Sequence, residues 1–178
     1  MIAVAAFLGA FTWTFLEYVL HRFLGHVKGA RKNPFGKEHV RHHAEGDYFA
    51  PSWKKLAIAL AFTGLLCAPA VAIAGAARGV AYVLGLMSFY GAYEVLHRLL
   101  HVSEGIGPYG RWARRHHFHH HFVDPRTNHG VTSPLWDVVF GAYRKPSVIK
   151  VPPRLRMRWL ERGVPEAYAD TFVIGATR

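Results

Sequence analysis

Ten of the thirteen histidines in the chain fall into four groups whose spacing suits metal binding. Residues three or four apart lie on one face of a helix. His97 and His101 therefore point at a common centre. The ten candidate metal ligands are His21 and His26; His39, His42 and His43; His97 and His101; and His117, His120 and His121.

The internal spacing of the other groups predicts two metal centres. In each cluster of the form His-x-x-His-His, the first two histidines share a helix face, and the last, His43 or His121, reaches sideways toward a second centre. His21 and His26 are five apart, which is about 140° around an ideal helix. That pair needs a distorted helix end, a π-type turn or ligation of different ions.

The donor set indicates which metals fit. The single cysteine, Cys67, excludes a disulfide framework and a thiolate site built from this chain alone. Neutral imidazole suits zinc, copper, iron and nickel, and ten histidines exceed what one zinc ion takes. Two ions with about five ligands each use the set economically. Two metals at the end of a helix bundle form a suitable site for activating O₂, which needs redox-active metals. This favours a di-iron site. Zinc is a possible substitute, and a dizinc hydrolase stays an alternative.

Further polar residues near these groups are candidates for orienting the ligand imidazoles by accepting or relaying the second ring N–H. Glu17 and Glu94 each lie inside an apolar helix about one turn before a histidine pair, with pairing to Arg22 or Arg98 as the alternative. His116 and His119 are either bystanders or supporting groups, and His116, His119 and His120 offer a second register for the last cluster. The full supporting set is Glu17, Glu94, His116, His119, His129 and Asp137.

Three stretches without lysine or arginine must position the histidines: residues 1–20, 56–77 and 79–97. Each is about long enough to cross roughly 30 Å of hydrocarbon as a helix. The fold class predicted is all-α, an integral membrane helical bundle of about three spans with a cytosolic helical cap that carries a histidine-rich dimetal site. One alternative is a soluble protein in which the three helices form a buried core. Another is that the first stretch is a cleaved signal peptide, which the absence of a basic leading region disfavours.

The charge distribution predicts orientation. The formal net charge is +11, and every basic residue except Arg78 lies within 22–55 or 98–178. The positive-inside rule places the N-terminus outside and the metal site on the cytoplasmic side of a multi-pass membrane protein. Because the basic residues flank membrane spans and no recognition motif is present, we exclude a nucleic-acid partner.

The remaining chain divides at residue 145. We expect a membrane domain over 1–145 and a basic cytosolic tail over 146–178, solvated or lying on the membrane. Apolar residues of the second and third spans, with Trp136 and Phe140, are candidates for a substrate channel.

The four histidine groups and the segment from Asn128 to Asp137 resemble the fatty acid hydroxylase or sterol desaturase superfamily of membrane di-iron proteins. The resemblance covers residues 17–143, and the 128–137 segment favours His117, His120 and His121 as the register of the last group. It implies a helical membrane fold with a cytosolic cap, two iron ions, O₂ as co-substrate and an external electron donor. Three residues between His97 and His101, as in fatty acid and sphingolipid 2-hydroxylases, favour an acyl substrate.

The sequence thus predicts an O₂-dependent di-iron hydroxylase of a lipid C–H bond. We expect the lipid substrate to come from the bilayer and an electron donor such as a ferredoxin or cytochrome to supply electrons. The alternatives are a carotenoid or sterol hydroxylase or desaturase, a membrane metal-binding protein without oxygenase activity, and a dizinc hydrolase.

Overall fold

The computed structural model describes residues 1–175 of the chain, and most of them are helical. The elements are α1 (Ile2–Val19), a π-helical turn (Leu20–Gly25), α2 (Pro34–Glu45), α3 (Ser52–Ala74), α4 (Ala76–Val102), α5 (Gly107–Phe122), α6 (Leu135–Val139), β1 (Ile149–Val151) and β2 (Phe172–Ile174). The two strands are parallel, with Ile149 opposite Phe172. The predicted helical fold class is confirmed, with this short strand pair added.

Within residues 1–175, three helices are long and apolar enough to cross a membrane, as the sequence predicts. They cover Ile2–Gly25, Ser52–Ala74 and Ala76–Val102. Between the last two, Gly75 alone forms the link, in a left-handed conformation with φ 81° that glycine adopts without strain. Helix α4 begins directly after this glycine, at Ala76.

The chain folds into two compact units. The first, here the span unit, comprises Met1–Leu16 and Ala50–Val95. The second, the histidine unit, comprises Glu17–Phe49 and the described residues from Leu96 onward.

Small residues let the helices of the span unit approach closely. A Cβ atom at Gly85 would overlap the carbonyl of Ala6, and one at Gly79 would overlap the backbone of Ala70. Close contact of this kind replaces the hydrophobic driving force that membrane helices lack. Trp13 adds ring contacts with Tyr90 at 4.8 Å between centroids.

In the histidine unit, local sequence sets the start of α2. The side chain of Asn33 accepts a hydrogen bond from the amide of Gly36 at 2.7 Å, and Pro34 occupies the first helical turn, where its missing N–H costs nothing. The helix therefore begins at Pro34, because the asparagine caps it and the proline fits its first turn.

Residues 146–175 are not a solvated tail, so that expectation is wrong for this part of the chain. Its apolar side chains pack against Phe118 of α5 in one buried core. The members from this segment are Ile149, Val151, Met157, Trp159, Leu160, Tyr168 and Phe172. The basic residues between them hid this pattern, because the segment is built from short strands and 3₁₀ turns rather than from one periodic element. The domain boundary at residue 145 and the cytosolic location of this C-terminal segment stay predictions.

Candidate metal centre

The ten predicted histidines come together as two groups of five within the histidine unit. In each group, the atoms offered as ligands all lie within 4.8 Å of one another. The first cluster is His21, His26, His39, His43 and His120, and the second cluster is His42, His97, His101, His117 and His121. The division into five and five matches the predicted number of ligands for each ion.

The π-helical turn explains how two histidines five residues apart reach one cluster. Residues bonded in an i→i+5 pattern lie one above the other. The Leu20–Gly25 turn brings the rings of His21 and His26 to 5.2 Å between centroids. Of the three geometries that the spacing allowed, the π-type turn is the one present.

Helices α2 and α5 each supply both clusters, but not in the predicted pairing. His39 shares its cluster with His43, four residues on, and His42 belongs to the other cluster. In α5, likewise, His117 and His121 are four residues apart and share a cluster, and His120 belongs to the other cluster. The expectation that histidines three apart share a centre is wrong, because residues four apart are only about 40° out of line on a helix whereas residues three apart are about 60° out of line.

The contacts between ring nitrogens fit metal coordination. Nε2 of His26 lies 2.7 Å from Nε2 of His39 and 2.8 Å from Nε2 of His120. Ligand nitrogens at right angles around an ion, with bonds of about 2.0–2.1 Å, lie about 2.9 Å apart. In the second cluster, His42 and His97, and also His101 and His117, have Nε2 atoms 3.0 Å apart. Both clusters therefore have the spacing of a coordination shell.

Backbone carbonyls set which ring nitrogen faces each cluster. Nδ1 of His42 lies 2.6 Å from the carbonyl oxygen of Tyr48, and Nδ1 of His120 lies 2.7 Å from that of Thr127. Nδ1 of His21 also meets the carbonyl oxygen of His129. Because a carbonyl only accepts, each Nδ1 donates, and in the neutral ring Nε2 then presents a lone pair to the cluster.

The electrostatic environment keeps these rings neutral. Burial lowers the pKa of His117, His120 and His121 well below the usual 6.5, and the neighbouring imidazoles lower it further. Burial and the nearby His129 lower the pKa of His26 to about 4. Neutral imidazole is the form that binds metal.

Several cluster nitrogens have no hydrogen-bond partner among the described residues although they are buried. They include Nε2 of His21, Nε2 of His43 and both ring nitrogens of His121. Buried polar atoms are normally paired. Ring nitrogens that face each cluster without a hydrogen-bond donor among the described residues therefore fit one bound cation in each cluster.

Carboxylates support the first cluster through a loop. Asp137 accepts hydrogen bonds from the amides of His129 and Gly130, each at 2.8 Å, and lies 3.2 Å from Nε2 of His116. Burial by itself would raise the pKa of Asp137, but the hydrogen bonds from His116, His129 and Gly130 lower it below its usual range.

Glu17 holds the same loop from α1. It accepts from the amide of Val131 and from the amide and hydroxyl of Thr132, the last two at 2.9 and 2.6 Å. Loop residue His129 in turn supplies the carbonyl that meets His21. These hydrogen bonds of Glu17 and Asp137 thus act on the backbone that orients a ligand, rather than on a ligand ring as predicted.

The other supporting candidates have separate partners. Glu94, in the span unit, pairs with Lys55, which neither predicted alternative named. His116 stacks against Trp112 at 5.4 Å between centroids as well as meeting Asp137. His119 is buried but belongs to neither cluster, which agrees with the register chosen for α5.

The two predicted channel residues lie on or beside α6. Phe140 stacks on Tyr18 at 5.3 Å between centroids and is half exposed, and Trp136 lies 6.3 Å from Phe140. Their role in a channel stays a prediction.

Comparison with known proteins decides the family. A family model described as fatty acid hydroxylase matches residues 6–142. The chain belongs to the fatty acid hydroxylase family. All ten clustered histidines lie within the residues matched to this family.

Named relatives in the fatty acid hydroxylase family act on acyl chains. A dihydroceramide fatty acyl 2-hydroxylase of Arabidopsis thaliana is 35% identical over 139 residues, which cover 75% of this chain and 58% of that protein. A ceramide very long chain fatty acid hydroxylase of Saccharomyces cerevisiae is 31% identical, with 78% of this chain and 37% of that protein covered. The fatty acid 2-hydroxylase of Homo sapiens is also 31% identical, with coverage of 75% and 37%. The chain thus spans little more than half, or less, of these relatives.

A solved structure supports the fold of this fatty acid hydroxylase family member. Full-length scs7p, of which only the hydroxylase domain is visible, matches with a TM-score of 0.62 and 29% identity. The match covers 83% of this chain and 59% of that one.

Sequence reasoning missed the residues that act through their backbone. The carbonyls of Tyr48 and Thr127 orient His42 and His120. Every residue carries a carbonyl, so no residue type marks these positions. Asn128, next to Thr127, adopts a positive φ of 55°, a backbone conformation that asparagine tolerates better than most residues.

Proposed function

We propose that the chain is an O₂-dependent di-iron hydroxylase of a lipid C–H bond, with a fatty acyl chain or a related lipid as substrate. The observation that carries the proposal is the pair of five-histidine clusters in a member of the fatty acid hydroxylase family. The named 2-hydroxylase relatives support an acyl substrate.

The overall reaction needs an external reductant. O₂, two electrons and two protons convert a C–H bond to C–OH and release one water molecule. We propose that a ferredoxin or cytochrome supplies the electrons. The excess of basic residues outside the spans supports docking of an acidic carrier or of anionic phospholipid.

Iron bound by the two clusters would supply the redox cycling that O₂ reduction requires, whereas zinc would bind but not cycle. The protein's own part is to hold neutral imidazoles in place. Carbonyls of Tyr48, Thr127 and His129 fix their tautomers, and burial keeps protons off the rings at neutral pH.

The lipid chain has to be held still and shielded from water, because a C–H bond is attacked only when it lies close to the oxidant. We propose that Trp136 and Phe140 guide it. Replacing Phe140 with alanine then changes the chain length of the hydroxylated product more than the metal content.

Lipid analysis under labelled oxygen tests the proposal. Cells that express the full chain under ¹⁸O₂ should accumulate lipid with label in a new hydroxyl group, found by mass spectrometry. His97→Ala and His120→Ala should each abolish labelling and lower the metal content, and His119→Ala is the matched control that retains most of both. A labelled sterol or carotenoid would redirect the substrate assignment. Turnover without O₂, or activity with zinc alone, would refute an oxygenase.

We also propose that the clusters lie on the cytoplasmic side of the membrane. Arg126→Cys and Arg78→Cys, each in a Cys67→Ser background, place single thiols near the clusters and at the turn between α3 and α4. A membrane-impermeant maleimide applied to intact cells should label only the Arg78→Cys variant. Labelling of Arg126→Cys alone would invert the orientation.

A further inference from the structure

The segment after residue 145 contacts the helix end that carries the second cluster. Nε1 of Trp159 donates to the carbonyl oxygen of His101 at 3.0 Å. His101 lies in the last turn of α4, where carbonyls have no partner within the helix. The C-terminal segment thus completes the hydrogen bonding of a ligand's own backbone.

Arg114 of α5 caps the same helix end. Its guanidinium is fully buried and donates to the carbonyl of Leu100 at 2.7 Å, to that of Leu99 at 3.1 Å and to that of Ser103. A cation at a helix C-terminus also offsets the partial negative charge there. Burial lowers the pKa of Arg114 to about 10, so the group stays charged at neutral pH.

Aromatic side chains of the C-terminal segment hold this guanidinium in place. Its central carbon lies 4.1 Å from the ring centroid of Trp159 and 5.3 Å from that of Tyr168, and Nη1 donates to the Tyr168 hydroxyl at 2.9 Å. Cation–π contacts of this kind are strongest where the cation is desolvated, as it is here. Arg114 is therefore fixed between the end of α4 and the C-terminal core.

The same core also touches a ligand ring directly. Phe118 packs edge-on against His101 at 5.0 Å between centroids, and it belongs to the buried core with Trp159 and Phe172. The first cluster is supported differently, by the loop at 129–132 and its two carboxylates, Glu17 and Asp137. The two clusters thus share helices α2 and α5 but differ in the further elements that support them.

We infer that residues 146–175 form a positioning element for the second cluster, with Trp159 and its contact Arg114 of α5 as the positioning residues. The inference rests on metal binding within the proposed function, but not on hydroxylation. Removal of the Trp159 donor should weaken the ion of the second cluster and leave the ion of the first cluster unchanged.

Trp159→Phe is the sharpest probe, because it removes the N–H while keeping an aromatic ring in the core and over Arg114. The full chain in detergent is loaded with Co²⁺ anaerobically, and each dissociation constant is measured by competition with a chelator. Loss of a group that orients a ligand costs about tenfold to a hundredfold in metal affinity. We expect Trp159→Phe to raise the dissociation constant of one of the two ions about tenfold. Trp53→Phe, the same change at an exposed position, should alter neither ion.

Double variants identify which ion responds. In a His97→Ala background, where the second cluster is already disabled, Trp159→Phe should change nothing further. In a His26→Ala background, the second cluster is intact, so the same change should weaken the remaining ion about tenfold. Arg114→Lys, which keeps the charge but not the fork of donors, should behave as Trp159→Phe does.

Equal weakening of both ions, or no change in either, would overturn the inference. An equal effect of Trp159→Phe on metal affinity in the His97→Ala and His26→Ala backgrounds would also overturn it, because it would indicate general destabilisation. A wild-type chain that binds two Co²⁺ ions but hydroxylates no lipid would refute the proposed function and leave this test intact.

Discussion

The rings of His43 and His121 stack face to face, with centroids 4.0 Å apart and 5° between their planes. They belong to different clusters. The two candidate metal sites are therefore neighbours that meet through this ring pair, and α2 and α5 each carry ligands for both. A change in one helix can affect either site, depending on which face it alters.

The grouping of the histidines predicts how double variants lose metal. His42→Ala combined with His97→Ala removes two ligands of the same cluster. This double variant should lose one ion, as each single variant does. His42→Ala combined with His43→Ala disables both clusters and should lose two. Iron per chain, measured after anaerobic loading, distinguishes these outcomes, with His119→Ala as the control. Loss of both ions from the first pair would contradict the grouping.

Glu17 should stabilise the loop that orients His21 in proportion to the hydrogen bonds it accepts. Thr132→Val removes one of them and should cost about 1 kcal/mol of unfolding free energy. Glu17→Ala leaves two backbone amides of the loop unpaired and should cost about 3 kcal/mol, with metal loss from the first cluster. Thermal unfolding with and without metal measures both. An equal effect of the two changes would argue against this role.

Asp137 should make the stability of the metal-free protein depend on acid pH. Its pKa in the folded chain lies below the ordinary 3.8, so its ionised form stabilises the fold above that pH. This contribution is lost as the pH falls through the folded pKa. Asp137→Asn should lower the unfolding free energy by about 2 kcal/mol near neutral pH.

The difference between Asp137→Asn and wild type should then shrink below about pH 4. Unfolding midpoints of the two metal-free chains across pH measure it. A difference that stays constant down to strongly acid pH would refute the assignment.

Close helix packing in the span unit predicts opposite outcomes for two glycines of α4. Gly85→Ala forces a methyl group into the backbone of Ala6 and should destabilise the chain by about 1–3 kcal/mol. Gly91→Ala meets open space and should stabilise the helix by about 1 kcal/mol. Thermal unfolding in detergent compares them. Similar shifts in both would show that α1 and α4 do not pack as described.

The sequence by itself determined the histidine set and the helices that carry it. Helix periodicity and hydropathy are local properties. The sequence therefore predicts the shared centre of His97 and His101, the three apolar spans and the presence of two centres with about five imidazoles each. Spacing also limited His21 and His26 to three geometries, one of which is the π-helical turn found.

Tertiary structure decided which histidines share a cluster and what orients them. His42 and His120 cross between clusters because two helices must each face two centres, a constraint that no single helix expresses. The carbonyls of Tyr48 and Thr127 act as acceptors only because folding brings them to ring nitrogens. The buried place of Trp159 likewise depends on a contact with His101, 58 positions away along the chain, which local patterns do not encode.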